Sequence, residues 1–141
     1  MRGYRVVREV LGEFEGEPVK AFVIWLPMVR GDNEAAARAL LAATGDARIR
    51  GYWDGKRLAG GAFGRTLRLK LLGLVRATAW DVYLVYPQDV RWTADDPPAP
   101  AHWEHQLSGL EGAPPDCDLD PARLAEQVGV ALRDVRSPAF W

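Results

Sequence analysis

Cysteine is nearly absent from this sequence, which removes several kinds of chemistry. Cys117 is the single cysteine, so the chain has neither an internal disulfide nor a Cys-x-x-Cys redox or zinc motif. Its neighbours Asp116 and Asp118 raise the pKa of the thiol, because their negative charges disfavour the thiolate. Cys117 is therefore a poor nucleophile, and any activity must depend on other side chains.

Excess charge and long apolar runs are missing as well. Lys and Arg number 18 against 19 Asp and Glu, and no basic stripe recurs that could neutralise a row of phosphates. The apolar runs are far shorter than the roughly twenty residues that span a bilayer, and no secretory signal is visible. We therefore expect neither nucleic acid nor a membrane as partner, and a cytoplasmic location.

The size of the chain predicts one soluble domain over residues 1–141. With 141 residues, 48% of them hydrophobic, the chain buries enough surface to fold without a disulfide or a structural metal. No cofactor is expected.

Two periodicities alternate along the chain. Apolar runs, alternating or continuous, predict strands at 4–10, 21–26, 47–53 and 79–86. Residues 89–92 would pair back on the last of these strands as a hairpin. Helical spacing predicts three helices, over 33–44, 57–74 and about 120–134.

The segment "VIWLPMVRGDNEAAARALL", Val23 to Leu41, is predicted to turn sharply from a strand into a helix. Asp32 is the predicted N-cap, with Asn33 as the alternative, because a carboxylate at a helix start accepts backbone N–H groups and suits the dipole. Gly45 would stop the helix. Its predicted apolar stripe consists of Ala35, Ala36, Ala39, Leu40 and Ala43.

Residues 93–118 form a long connection rich in Pro, Gly and Asp. A structureless loop of that length is uncommon in a compact domain. We expect it either to pack over the domain through Trp103 and Leu107 or to act as a lid.

Apart from the extra strand at 4–10, the order strand, helix, strand, helix, strand, strand, helix is that of a thioredoxin-like core. Right-handed crossovers would make the first two long strands parallel, and the hairpin would add an antiparallel edge. The predicted fold class is therefore α/β and thioredoxin-like, with a central mixed sheet of about four to five strands and about three flanking helices.

The redox elements of thioredoxins are missing from the matching positions. That family places a nucleophilic Cys-x-x-Cys after an apolar strand that ends in Trp, whereas Trp25 is followed here by "LPM" at 26–28. The family also places a cis-proline before the third core strand, where this chain has "TAW" at 78–80. We therefore expect a domain without dithiol redox activity.

The chain more closely resembles a group of uncharacterised bacterial thioredoxin-like proteins. Four segments carry this resemblance: "WLPM" followed by Gly-Asp, "YWD", "AWDVYLVY" and "HWEHQL". It extends from about Val19 to the last helix, and it implies the fold rather than a reaction.

Aromatic and polar side chains occur together at the predicted strand ends and in the long loop. The chain contains six tryptophans, and the carboxyl ends of parallel strands are where ligands gather. If these side chains converge, they form a Trp-lined cleft with a few polar groups, which is typical of ligand sites. The ligand-binding candidates are Trp53, Asp54, Trp80, Asp81, Trp103, His105 and Gln106.

Structural alternatives stay open for the two aspartates. "WDGK" around Asp54 is also an ordinary turn, and Asp81 could bind exposed N–H groups at the start of its strand. His102 and His105 are three apart, which would put both on one face of a helix. They lack a third ligand and an HExxH pattern, so no metal site is predicted.

Three functional hypotheses follow from these patterns. The first is a redox-inactive module that binds an unknown small molecule or protein. The second is a cysteine-independent enzyme that uses Asp and His as acid and base in the Trp-lined cleft. The third is a structural homodimer, formed through an exposed sheet edge or the tail at Trp141.

The missing thiols generate the first prediction. Purified protein should show no catalytic reduction in an insulin turbidity assay, because no Cys-x-x-Cys is available to exchange disulfides. Catalytic reduction that survives the Cys117→Ser substitution would contradict this expectation.

Overall fold

The computed structural model describes residues 2–73, 77–92, 96–107, 109–111, 113–114 and 116–136. Its architecture is mixed α/β. In chain order the elements are α1 (Arg2–Gly12), β1 (Ala21–Trp25), α2 (Glu34–Ala42), β2 (Ile49–Trp53), α3 (Leu58–Thr66), β3 (Lys70–Leu71), β4 (Val82–Val85), β5 (His102–His105), β6 (Leu110–Glu111) and α4 (Pro121–Arg136).

The strands form three small sheets of two strands each. β1 and β2 are parallel, as predicted, with Trp25 opposite Trp53. β4 pairs antiparallel with β5, and β3 pairs antiparallel with β6. The prediction of one central sheet of four to five strands is therefore wrong in size. Ile24 of β1 reaches the core around Phe63 through its side chain, and no backbone ladder between β1 and β4 is present in the described residues.

The core lies on both faces of the β4–β5 sheet. Side chains of β4 alternate between two hydrophobic clusters, because successive residues of a strand point to opposite faces. On one face Val85 packs with residues of α1 and α4. On the other face Val82 and Leu84 pack against α3 and the buried Leu69. The two strands are thus covered by helices on both sides.

The N-terminal segment is a helix, and the prediction of a strand at 4–10 is wrong. Val6, Val10 and Leu11 are buried, and the spacing of four residues between Val6 and Val10 places these two on one face of a helix. Over so few positions, alternating and helical patterns share many apolar residues. Packing against α4 selects the helix, because it buries Val6 and Val10 in the same cluster as Leu124.

Arg48 connects the end of α1 to the start of β2. Its guanidinium donates hydrogen bonds to the carbonyl oxygens of Leu11 and Phe14, both at 3.0 Å. Leu11 lies in the last turn of α1, where backbone acceptors lack helical partners, and Phe14 lies in the turn that follows the helix. Asp46 holds Arg48 in place, and the hydrogen bonds from Arg48 lower the pKa of Asp46 to about 2.

α2 and α3 begin where the sequence predicts. The N-cap and the buried face of α2, and the end of α3, differ from the prediction. Asn33 is the N-cap of α2, accepting from the Ala36 N–H at 2.9 Å, so the choice of Asp32 as N-cap is wrong. The predicted apolar stripe of α2 is largely exposed, and the buried residue is Ala37. α3 ends at Thr66 and is followed by a turn and β3, which corrects the longer helix predicted over 57–74.

The long segment 93–118 contains regular structure. Its β5 takes the place beside β4 that the sequence prediction gave to residues 89–92, which form no strand. Trp103 packs against the α3 cluster, and Leu107 is buried. The segment therefore packs onto the domain where it is described. No helix in the described part of the chain has the length and apolar character needed to cross a membrane.

Close packing of α3 generates the second prediction. A Cβ at Gly64 would overlap the carbonyl oxygen of Ala77, so Gly64→Ala should lower the free energy of unfolding by about 2 kcal/mol through overpacking. Gly12→Ala is the matched control, because a Cβ there meets no atom within 4 Å. Denaturant unfolding of both variants checks this, and equal stabilities would show that α3 does not approach Ala77 so closely.

Candidate functional site

The predicted site residues separate into two groups in the structure. Trp53 and Asp54 lie at the carboxyl end of β2. Asp81, Trp103 and His105 lie on the β4–β5 sheet or at its end, where Gln106 also contacts Asp81. Among the described residues, no hydrogen bond, ion pair or ring contact joins the first group to the second.

Asp54 stabilises the start of α3. Its Oδ2 accepts a hydrogen bond from the Ala59 N–H at 2.7 Å. Arg57, at the N-cap position, has φ 57°, and its side chain makes no capping hydrogen bond. The carboxylate of Asp54 therefore takes the role of a capping side chain. The carbonyl oxygen of Asp54 also accepts from the Arg57 N–H at 3.0 Å, so this segment forms a turn, which is the structural alternative that the sequence left open.

Asp81 and His105 are neighbours through the backbone. The carbonyl oxygen of Asp81 accepts from the Gln106 N–H at 3.0 Å, and Val82 pairs with His105 in the ladder. Asp81 has φ 49°, a left-handed conformation that aspartate tolerates better than most residues. Its side chain is exposed, and the half-buried Trp80 precedes it.

The imidazole of His105 has other partners. His105 is 5% exposed, and its Nδ1 accepts from the Leu107 N–H at 3.1 Å. Its Nε2 lies 3.8 Å from Oδ1 of Asp118, and its ring centroid is 5.9 Å from that of Trp103. The carboxylate next to this histidine is therefore that of Asp118.

His102 and His105 point to opposite faces of β5. The segment is a strand and not a helix, so residues three apart alternate sides, and the one-face placement expected from helical spacing is wrong. His102 faces α4 with Glu104, whereas His105 shares the other face with Trp103. Among the described residues no group of three or more His, Cys, Asp or Glu side chains could hold a metal ion.

Glu104 is the centre of a polar cluster that sequence reasoning missed. Its side chain is 0% exposed, and Oε1 accepts from Nε of Arg123 and contacts Nε2 of His102, both at 2.8 Å. Oε2 accepts from the Asp120 N–H at 2.7 Å. The hydrogen bond to Glu104 is also the main cause of the raised pKa of Arg123. The segment "HWEH" shows no apolar alternation, so the local sequence carries no signal that Glu104 is buried.

The β1–α2 junction presents apolar side chains around one satisfied carboxylate. Oδ2 of Asp32 accepts from the N–H groups of Met28 and Val29, both at 2.8 Å. Asp32 therefore closes the loop before the helix and does not cap the helix itself.

The single cysteine, Cys117, is buried. Its burial is the largest cause of the raised pKa of its thiol, and the negative charge of Asp118 is the second.

A pocket lies between the parallel sheet and α2. Its volume is about 370 Å³, and Trp25 and Trp53 come from the carboxyl ends of the two paired strands. Gly51 belongs to its lining, and a Cβ there would overlap Leu41 and the Trp25 ring. The remaining lining residues are Glu34, Ala37, Arg38, Leu41 and Tyr52. Trp53 is thus a predicted candidate that lies in a pocket. The other residues of that pocket were not selected from the sequence.

The Glu34–Arg38 ion pair is the charged part of this pocket. Nη2 of Arg38 lies 2.6 Å from Oε1 of Glu34, one helical turn away on α2. The two opposite charges leave the pocket lining without net charge. The aromatic side chains and Leu41 make up its apolar part.

Comparison with known proteins adds no functional information. No protein-family model, curated protein or solved structure matches the chain.

The Glu104 cluster generates the third prediction. Arg123→Met should lower the free energy of unfolding by about 3 kcal/mol, because it leaves a buried carboxylate without its cationic partner. Arg65→Met is the matched control, since Arg65 makes the same kind of contact with Asp96 where both side chains are about half exposed. That exposed pair should contribute under about 1 kcal/mol. Equal losses in denaturant unfolding would show that Glu104 does not depend on Arg123.

Proposed function

We propose that this protein is a redox-inactive binding module that takes a small, largely apolar molecule in the pocket between Trp25 and Trp53. The supporting observation is the position of the two indole side chains at the paired carboxyl ends of parallel strands. In α/β proteins ligands bind outside these strand ends, where the following loops and helix starts surround them. The start of α2 supplies Glu34 at this place.

The size and composition of the pocket favour a small molecule over a peptide. About 370 Å³ is at the lower end of the volumes that small-molecule sites have. Trp25, Trp53 and Leu41 provide apolar surface, and aromatic rings favour planar groups that stack or meet them edge to face. We therefore propose a ligand with one or two rings.

The polar part of the pocket supports a ligand without a full charge. Glu34 and Arg38 already neutralise one another, so a charged ligand would have to compete with that ion pair. A neutral ligand can use the same pair as hydrogen-bond acceptor and donor.

We further propose that this module keeps the thioredoxin-like order of helices and strands but lacks the dithiol chemistry of thioredoxins. The β1–α2 junction carries Met28 and Val29 around Asp32, and the one cysteine is buried in another segment, at Cys117. Neither supplies the pair of exposed thiols that disulfide exchange needs.

The fourth prediction tests the pocket with indole as a neutral aromatic probe. In a ¹H–¹⁵N NMR titration, the indole N–H signals of Trp25 and Trp53 should shift with added indole, and that of Trp92 should not. Trp53→Leu should weaken binding by about fivefold, because an aromatic contact contributes about 1 kcal/mol. Trp92→Leu is the control, since Trp92 packs on Phe63 and Tyr86 away from the pocket. Equal effects of both variants would exclude the pocket as the site.

A further inference from the structure

One backbone edge of β2 has no strand beside it in the described part of the chain. The carbonyl of Arg48 and the N–H of Asp54 bond to β1, at 3.0 and 2.8 Å. In a parallel pair a residue directs its N–H and C=O to the same neighbour, and successive residues alternate. The even-numbered residues of β2 therefore face β1, and the N–H and C=O groups of Gly51 and Trp53 point outward from the sheet.

The side chains on this edge do not block pairing in the usual way. Proteins protect exposed edges with charged side chains, especially Lys, and with Pro, bulges or very short strands, whereas β2 reads Ile-Arg-Gly-Tyr-Trp and contains neither Lys nor Pro. Its one charge is Arg50, which is exposed and makes no hydrogen bond or ion pair with the described residues. Tyr52 is 52% exposed and stacks on Phe22, which is 61% exposed.

We propose that this edge pairs with the same edge of a second copy of the chain, in an antiparallel two-fold ladder centred on Gly51 that places Arg50 of each copy opposite Tyr52 of the other. A two-fold contact is self-complementary, because each copy presents the same surface. Gly51 would exchange both of its backbone hydrogen bonds with Gly51 of the second copy. The two sheets would join into one sheet of four strands.

The extent of β2, whose central residue is Gly51, and the contact between Arg50 and Tyr52 favour this register. Arg50 and Tyr52 of the second copy would form a non-hydrogen-bonded pair, the kind in which opposite side chains approach most closely. The guanidinium can then lie on the Tyr52 ring as a cation–π contact. Sliding the ladder two residues towards Ile49 would oppose the two Arg50 side chains. Sliding it the other way would bring Arg50 to Asp54, which lies beyond the end of β2, and would leave only residues 51–53 paired within the strand.

The extent of the edge limits the strength of the dimer. β2 has five residues, so the ladder and its side chains cover less than the roughly 1,600 Å² of a standard interface. We therefore expect dissociation constants on the order of micromolar or weaker.

Cysteine crosslinking tests the register. In a Cys117→Ser background, an equimolar mixture of Arg50→Cys and Tyr52→Cys should give a disulfide-linked heterodimer under mild oxidation, because opposite residues lie within disulfide reach. Arg50→Cys alone should crosslink far less, since its two copies would lie beyond the about 7 Å between Cα atoms that a disulfide spans. Crosslinking of Arg50→Cys alone as efficiently as the mixture would overturn the register.

Variants that exchange the charges at positions 50 and 52 test dimerisation by sedimentation equilibrium, without any oxidation step. Tyr52→Arg should abolish the dimer, because it brings Arg50 against a second cation, whereas Arg50→Glu combined with Tyr52→Arg should restore it through a Glu–Arg pair. Leu58→Arg is the control, since Leu58 is an exposed apolar residue on α3, and it should leave the dimer unchanged. A wild-type protein that stays monomeric at millimolar concentration would refute the proposal, whether or not the pocket binds a ligand.

Discussion

The buried carboxylate of Glu104 is the constraint on which the second half of the chain depends. A charge removed from water is tolerated only where partners surround it, and Glu104 is surrounded by Arg123, His102 and the Asp120 N–H. Two of these partners lie at the start of α4, so the helix must begin above β5 for the carboxylate to be satisfied. Arg123 also donates to the carbonyl of Asp118, which holds the segment before the helix.

This constraint also explains why β5 is hard to recognise from sequence. Strands are usually identified by alternating apolar residues, but the two most buried residues of β5 are Glu104 and His105. The burial of Glu104 depends on Arg123, which lies 19 positions later in the chain. The segment of Cys117 and Leu119 bonds to the backbone of His105. Residues 89–92, with Val90 and Trp92, imitate a strand better and yet form none. Long-range partners are invisible to a local pattern.

Sequence reasoning succeeds for three strands and the last helix, where the apolar pattern fits one kind of element, and it fails over residues 4–10, where the pattern fits both a strand and a helix. β1, β2 and β4 were predicted from continuous or alternating apolar runs, and α4 from the spacing of Leu124 and Val128. Of the candidate site, Trp53 could be chosen because it ends a strand. Its neighbour Trp25 becomes part of a pocket only through the register of β1 on β2, which no single segment encodes. The partner of His105 likewise depends on the bridge between β5 and Asp118.

The two proposals concern the same strand, and their geometry links them. A ladder centred on Gly51 would place Ile49 of the second copy opposite Trp53, on the face of β2 that borders the pocket. A ligand that orders Trp53 would then favour the paired state, and pairing would favour the ligand by the same free energy, because coupling between two binding events is reciprocal. Since a ligand can shift such an equilibrium only by its difference in affinity between the two states, the strength of this coupling depends on how much of the Trp53 ring the second copy covers.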